Sequence, residues 1–171
     1  MLPKKLQDKI DARARDSSLR SLGFRQDLID FSSNDYLGFS RSKEIYNKAC
    51  SILKQHNYQA NGATGSRLLT ANHPLYLDTE KQIATFHKTP SALIFNSGYD
   101  ANIGFFSSVP QRGDVILYDA LCHASIRDGI AMSHAKGYKF THNNLQGLEA
   151  LLEAQNTSSK TGTEIYVVTE A

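Results

Sequence analysis

The chain has no long apolar run, no excess of one charge and almost no cysteine. Nothing in its 171 residues approaches the roughly 20 consecutive apolar residues that a membrane-crossing helix needs. The 19 basic and 17 acidic residues leave a formal net charge of +2, too balanced for a nucleic-acid footprint, which needs a clustered basic face. Lys4, Lys5, Lys9, Arg13 and Arg15 are interleaved with Asp8 and Asp11, the pattern of a solvated helix face. The two cysteines, Cys50 and Cys122, form no C-x-x-C pair. Isolated as they are, they make no disulfide framework, and a reducing compartment fits them. The opening MLPKKLQDKI lacks the apolar stretch of a secretory signal, so the expected location is the cytoplasm. What remains is ordinary for a globular protein, at 40% hydrophobic and 21% charged, with length enough for one real core.

Periodicity divides the chain. Residues 4–19 read as a helix on Leu6, Ile10 and Ala14. The stretch FSSNDYLGFSR (31–41) reads as a loop of turn-forming residues. A second helix is predicted over 43–56, with Ser42 as its N-cap and Ile45, Ala49, Ile52 and Leu53 on one buried face. A glycine-containing loop, 60–73, leads to Pro74, which opens a helix to about His87. From residue 91 strands are predicted at 92–96, 114–118, 137–141 and 164–169, alternating with helices at 99–108, 124–134 and 144–155. In the last helix Leu145, Leu148, Leu151 and Leu152 share a face. That alternation predicts an α/β fold with a mostly parallel sheet covered by helices. Ile165–Val168, apolar on both faces, reads as a central strand. With no helix following it in the sequence, the expectation is that the chain is the front part of a longer protein.

In a parallel sheet, chemistry gathers beyond the carboxyl ends of the strands. Four segments meet that criterion: Asn96–Tyr99, Asp119–Ser125, Thr141–Asn144 and Glu170. In the first, Gly98 lets a ligand approach the backbone, and the following helix offers unpaired N–H groups and a positive dipole end, a combination that binds phosphate. A plain turn capped by Ser97 or Asn96 is the competing reading. No G-x-G-x-x-G is present, and GATGSR (62–67) lacks the G-K-[ST] ending of a phosphate loop, so that stretch reads as a flexible connection. His123 stands at a helix start, where the dipole favours an uncharged imidazole that could stack on a flat ring or shuttle a proton; a structural histidine is the alternative. The remaining histidines show no metal-ligand spacing.

Taken in order, FSSNDYLGFS (31–40), GATGSRLLTANHPLYLDTE (62–80), ALIFNSGYDANIG (92–104), DALCHASIRDGI (119–130) and YVVTEA (166–171) resemble the α-oxoamine synthases, fold-type I enzymes dependent on pyridoxal 5'-phosphate (PLP). The resemblance covers nearly the whole chain. It implies two regions: residues 1–58, a helical segment with an active-site loop, and residues 59–171, the first part of a large PLP-binding α/β domain. It implies that Ser97, Gly98 and Tyr99 hold the cofactor phosphate, that His123 stacks on the pyridine ring and that Glu170 is an acidic residue beside it. Arg20 would contact the acyl substrate, and Asn34 would border the active site of a homodimer. Within the family, the short N-terminus and FSSNDYLG resemble the branch that condenses L-alanine with a pimeloyl thioester; sister branches with other substrates stay open. The resemblance places the Schiff-base lysine and the aspartate that pairs with the pyridine nitrogen beyond the TEA motif, with Lys136, Lys139 and Lys160 at the wrong places to replace that lysine. The chain by itself is therefore expected not to turn over substrate. The alternative of another class is a non-catalytic α/β module that binds a partner through an exposed sheet edge.

Overall fold

The structure, a computed structural model, describes residues 2–23, 28–158 and 162–170. Lys160 lies outside the described residues. The chain forms two compact units, 1–61 and 62–171.

The N-terminal unit holds α1 (Lys4–Arg15), a 3₁₀ turn (Phe39–Arg41) and α2 (Lys43–Gln55). The first helix stops four residues short of the predicted end. Ser17 turns left-handed at φ 52°, and the N–H groups of Ser18 and Leu19 fold back onto the Arg13 carbonyl. Ser42 caps α2 as its sequence implies, its Oγ accepting from the Ile45 N–H at 3.3 Å. The predicted buried face of α2 is not buried: Ile45, Ile52 and Leu53 are all exposed, and neither α1 nor α2 contains a buried residue. The periodicity that marks an amphipathic helix is present, but the apolar stripe has no covering layer among the described residues.

The C-terminal unit carries α3 (Pro74–His87), α4 (Gly98–Ser108), β1 (Val115–Asp119), α5 (Ala124–Met132), β2 (Lys136–Phe140), α6 (Leu145–Ser158) and β3 (Ile165–Val168). The three strands form a parallel sheet in the order β2-β1-β3. The apolar core sits here, with Phe106, Ile116, Cys122, Ile126, Ile130 and Val168 in one cluster. Ile116 and Leu117 of the central strand are fully buried.

Three expectations need correction. The segment 92–96 is no strand; Leu93 and Phe95 are exposed. A strand requires a ladder, and here the Ile94 N–H is taken at 2.9 Å by the Glu80 carboxylate instead. Among the described residues the strand predicted to be central, β3, lies at an edge of the sheet with Val167 exposed, and β1 is the central one. The hydrophobic runs are similar, so sequence alone did not separate the two. In α6, Leu145 is exposed while Leu148, Leu151 and Leu152 are only half-buried.

The loop 62–67 is not a free connection. Arg67 forms a two-pronged pair with Glu80, Nη1 to Oε1 at 2.7 Å and Nη2 to Oε2 at 2.9 Å. Its guanidinium lies over the Tyr76 ring, 4.3 Å from the centroid. The planar fork of arginine suits both contacts. Since Glu80 also holds Ile94, the loop, α3 and the approach to α4 are tied at one carboxylate.

Candidate cofactor site

Because the strands are parallel, the segments after β1, β2 and β3 open at the same sheet edge. Asp119, at the end of β1, is almost fully buried. Its carboxylate accepts the Leu121 N–H at 2.7 Å, the His142 Nδ1 at 2.9 Å and the Asn143 N–H at 3.1 Å. The backbone N–H of Leu121, followed by the His142 side chain, holds this carboxyl below the usual range despite burial. Asp119 thus joins the turn after β1 to the turn after β2 and fixes the backbone leading to His123. Both loops were singled out in the sequence, but Asp119 was not picked as a functional residue. Its signal was an acid ending an apolar strand just before a tight turn.

His123 is exposed and is the N-cap of α5, its Nδ1 accepting from the Ser125 N–H at 3.2 Å. Glu170, just past β3, accepts the backbone N–H of His123 at 2.5 Å across 47 residues of sequence. Two residues predicted from separate motifs are thereby in direct contact. A carboxylate at a helix N-terminus also meets the positive end of the dipole. Cys122 is buried, and burial pushes its thiol up, the opposite of an activated nucleophile.

Ser97, Gly98 and Tyr99 form the start of α4. The plain-turn reading holds for Ser97, whose Oγ accepts from the Asp100 N–H at 3.0 Å. Among the described residues the N–H groups of Gly98 and Tyr99 have no protein acceptor, and the space a Cβ of Gly98 would occupy is open. These are the orphan donors of a helix start. Replacing Ser97 by alanine removes one cap and is expected to cost about 1 kcal/mol, read as a lower urea midpoint of the purified chain.

The start of α4 is fastened to α5. Tyr99 Oη donates to Asp128 Oδ2 at 2.6 Å, which raises the Tyr99 phenol above its ordinary value. Asn102 Nδ2 donates to Ser125 Oγ at 2.9 Å. The contacts that join α4 to α5 through Asn102, Ser125 and Asp128 span 23 to 29 residues, which local sequence pattern does not reveal. The arrangement can receive an anion at Gly98 and Tyr99 and a flat ring at His123, which fits a phosphate-bearing aromatic cofactor. Among the described residues no group of three His, Cys, Asp or Glu side chains could hold a metal ion. Arg20 and Asn34 are exposed residues of the N-terminal unit. Among the described residues no helix is long and apolar enough to cross a membrane.

The chain is similar in sequence and in fold to known proteins. An 8-amino-7-oxononanoate synthase from Emericella nidulans is 47% identical over 135 residues, covering 76% of this chain and 32% of that protein. A Sphingomonas wittichii serine palmitoyltransferase matches in structure with a TM-score of 0.67 at 28% identity, over 78% of this chain and 32% of that one. A serine palmitoyltransferase variant from S. paucimobilis, solved with a bound PLP–myriocin aldimine, shares the fold with a TM-score of 0.75 at 20% identity, over 96% of this chain and 44% of that one. The chain spans about a third of the length of the curated relatives it matches. The model of the aminotransferase class I and II family matches residues 26–169, and the chain belongs to that family.

Proposed function

We propose that the protein is a PLP-dependent α-oxoamine synthase that condenses L-alanine with a pimeloyl thioester, with decarboxylation, to give 8-amino-7-oxononanoate in biotin biosynthesis. The observation that carries this reading is the His123–Glu170 contact at 2.5 Å beside the open start of α4. The likeness to a synthase of that name at 47% identity supports the choice of substrates.

In this reading the N–H groups of Gly98 and Tyr99, with the Ser97 hydroxyl proton, bind the cofactor phosphate. The exposed face of the His123 imidazole stacks on the pyridine ring. Glu170 acts beside that ring while its carboxylate holds the His123 backbone. Arg20 pairs with the far carboxylate of the pimeloyl chain, which its fixed charge and planar fork suit. Asn34 borders the site, which is shared in a homodimer in the cytoplasm. Bound PLP supplies an electron sink for the carbanion formed from the amino acid.

The test is a substrate panel run on the natural gene product in full, with whatever follows the TEA motif, supplied with PLP. L-Alanine, glycine and L-serine are each paired with pimeloyl-CoA, acetyl-CoA and palmitoyl-CoA, and products are read by mass. The expected result is 8-amino-7-oxononanoate from the alanine–pimeloyl pair. Preference for serine with palmitoyl-CoA would move the protein to the sister branch that the structural neighbours represent. No condensation with any pair would overturn the reading.

A further inference from the structure

Ser125 is fully buried in the first turn of α5, yet it is a polar side chain in the apolar packing between α4 and α5. Its hydroxyl has two partners. On one side Asn102 Nδ2 of α4 donates to Ser125 Oγ at 2.9 Å. On the other, Ser125 Oγ lies 2.7 Å from His123 Nδ1. An amide nitrogen carries only hydrogens and no available lone pair, so it can only donate. The Ser125 oxygen therefore accepts from Asn102, and since a hydroxyl can accept twice, the direction of its bond to His123 Nδ1 is set by what else faces that nitrogen. The backbone N–H of Ser125 points at the same nitrogen at 3.2 Å. Two donors converge on Nδ1, which must offer a lone pair to both.

We propose that Asn102 and Ser125 are positioning residues: a relay running Asn102 to Ser125 to His123 fixes the imidazole as the tautomer protonated at Nε2 and sets its ring plane. Asn102 and Ser125 belong to different helices, so the ring is locked to α4 as well as to its own helix. The Nδ1 edge is turned inward and occupied. The Nε2–H donor and the ring faces are left for whatever occupies the site. The relay stands on these distances alone; its use toward PLP rests on the functional reading above.

The test is nitrogen-15 NMR of the histidine rings in the cofactor-free chain, followed by addition of PLP. In the wild type the His123 proton is expected on Nε2, with Nδ1 bare. Ser125→Ala removes the stronger of the two donors and is expected to raise the Nδ1-protonated fraction about threefold to tenfold, as one hydrogen bond would. Asn102→Asp is the sharper probe. A carboxylate can only accept, so the Ser125 proton turns toward residue 102, the Ser125 oxygen becomes the acceptor for His123, and the proton moves to Nδ1. Thermal unfolding and the spectra of the other histidines show that each variant is folded. A wild-type ring protonated at Nδ1, or a folded Asn102→Asp variant with the wild-type tautomer, overturns the relay. A ring of the stated tautomer that PLP leaves unperturbed keeps the relay and removes the cofactor reading instead.

Discussion

Replacing Gly129 by leucine is expected to destabilise the C-terminal unit by about 2–3 kcal/mol, the usual cost of forcing bulk into a packed interface. Gly129 lies in the middle of α5, where glycine costs about 1 kcal/mol relative to alanine. Space accounts for its presence. A Cβ there would sit 3.0 Å from the Asn102 carbonyl oxygen, 3.0 Å from Phe106 Cβ and 3.1 Å from Ile103 Cα. Two of these three atoms are backbone and cannot swing aside. The two helices cross nearly backbone to backbone, and a leucine must push them apart. At this chain length the loss corresponds to a fall in thermal midpoint of about 5–10 °C. Gly129→Ala is expected to lie near the wild type, with the gain in helix propensity offset by the tight contact. Urea titration separates the outcomes: a lower midpoint for leucine with an unchanged slope is expected, and a leucine variant as stable as the wild type would refute the close crossing. The crossing also sets the Tyr99–Asp128 and Asn102–Ser125 contacts, so the wedge should free both helix starts at once.

The second large effect belongs to Glu80. Its carboxyl is brought to about 2 from an ordinary 4.5, first by the hydrogen bonds from Arg67 and then by the Ile94 N–H. A carboxyl whose folded value is depressed contributes stability in full above its unfolded value and loses it as pH falls toward the folded one. The window is therefore about pH 4.5 down to about pH 2. Arg67 retains 28% side-chain exposure against 11% for Glu80, so solvent screens part of the attraction. Glu80→Gln keeps an acceptor for Ile94 but loses the charge-assisted pair. Its thermal midpoint at pH 7 is expected to fall by about 4–8 °C. The gap to the wild type should close as both are measured down to pH 2.5. A gap independent of pH would mean that packing, rather than charge, holds the carboxylate.

The elements that the sequence revealed most clearly are those whose determinants are local. Ser42 before a periodic run and Pro74 before another placed two helix starts. The strand–helix alternation after residue 91 placed β1, α5, β2 and α6 to within a few residues. The errors share a physical origin. Whether Ile94 joins a ladder, whether Val167 is central or at an edge, and whether Ile52 is covered all depend on what lies alongside, and local pattern carries no such information. The site follows the same division. The Gly98 turn and the exposed His123 were legible as a helix start and a strand-end loop, whereas Asn102 and Asp128 acquire meaning through partners distant in sequence, and Asp119 and Ser125 join such a partner to a local one.

The sheet order also has a consequence in time. Val115 pairs with Lys136 in β2 and with Ile165 in β3, separations of 136 − 115 = 21 and 165 − 115 = 50 residues. The longer closure costs about 0.8 kcal/mol more chain entropy, and α5 already bridges the shorter one. The β1–α5–β2 half should therefore assemble first, with β3 joining afterwards; pulsed hydrogen exchange would register protection of β2 amides before those of β3. Glu170 lies beyond β3, so its grip on His123 closes only when the slower half arrives. The helix that presents His123 is built early, and the contact that fastens its first residue is made late.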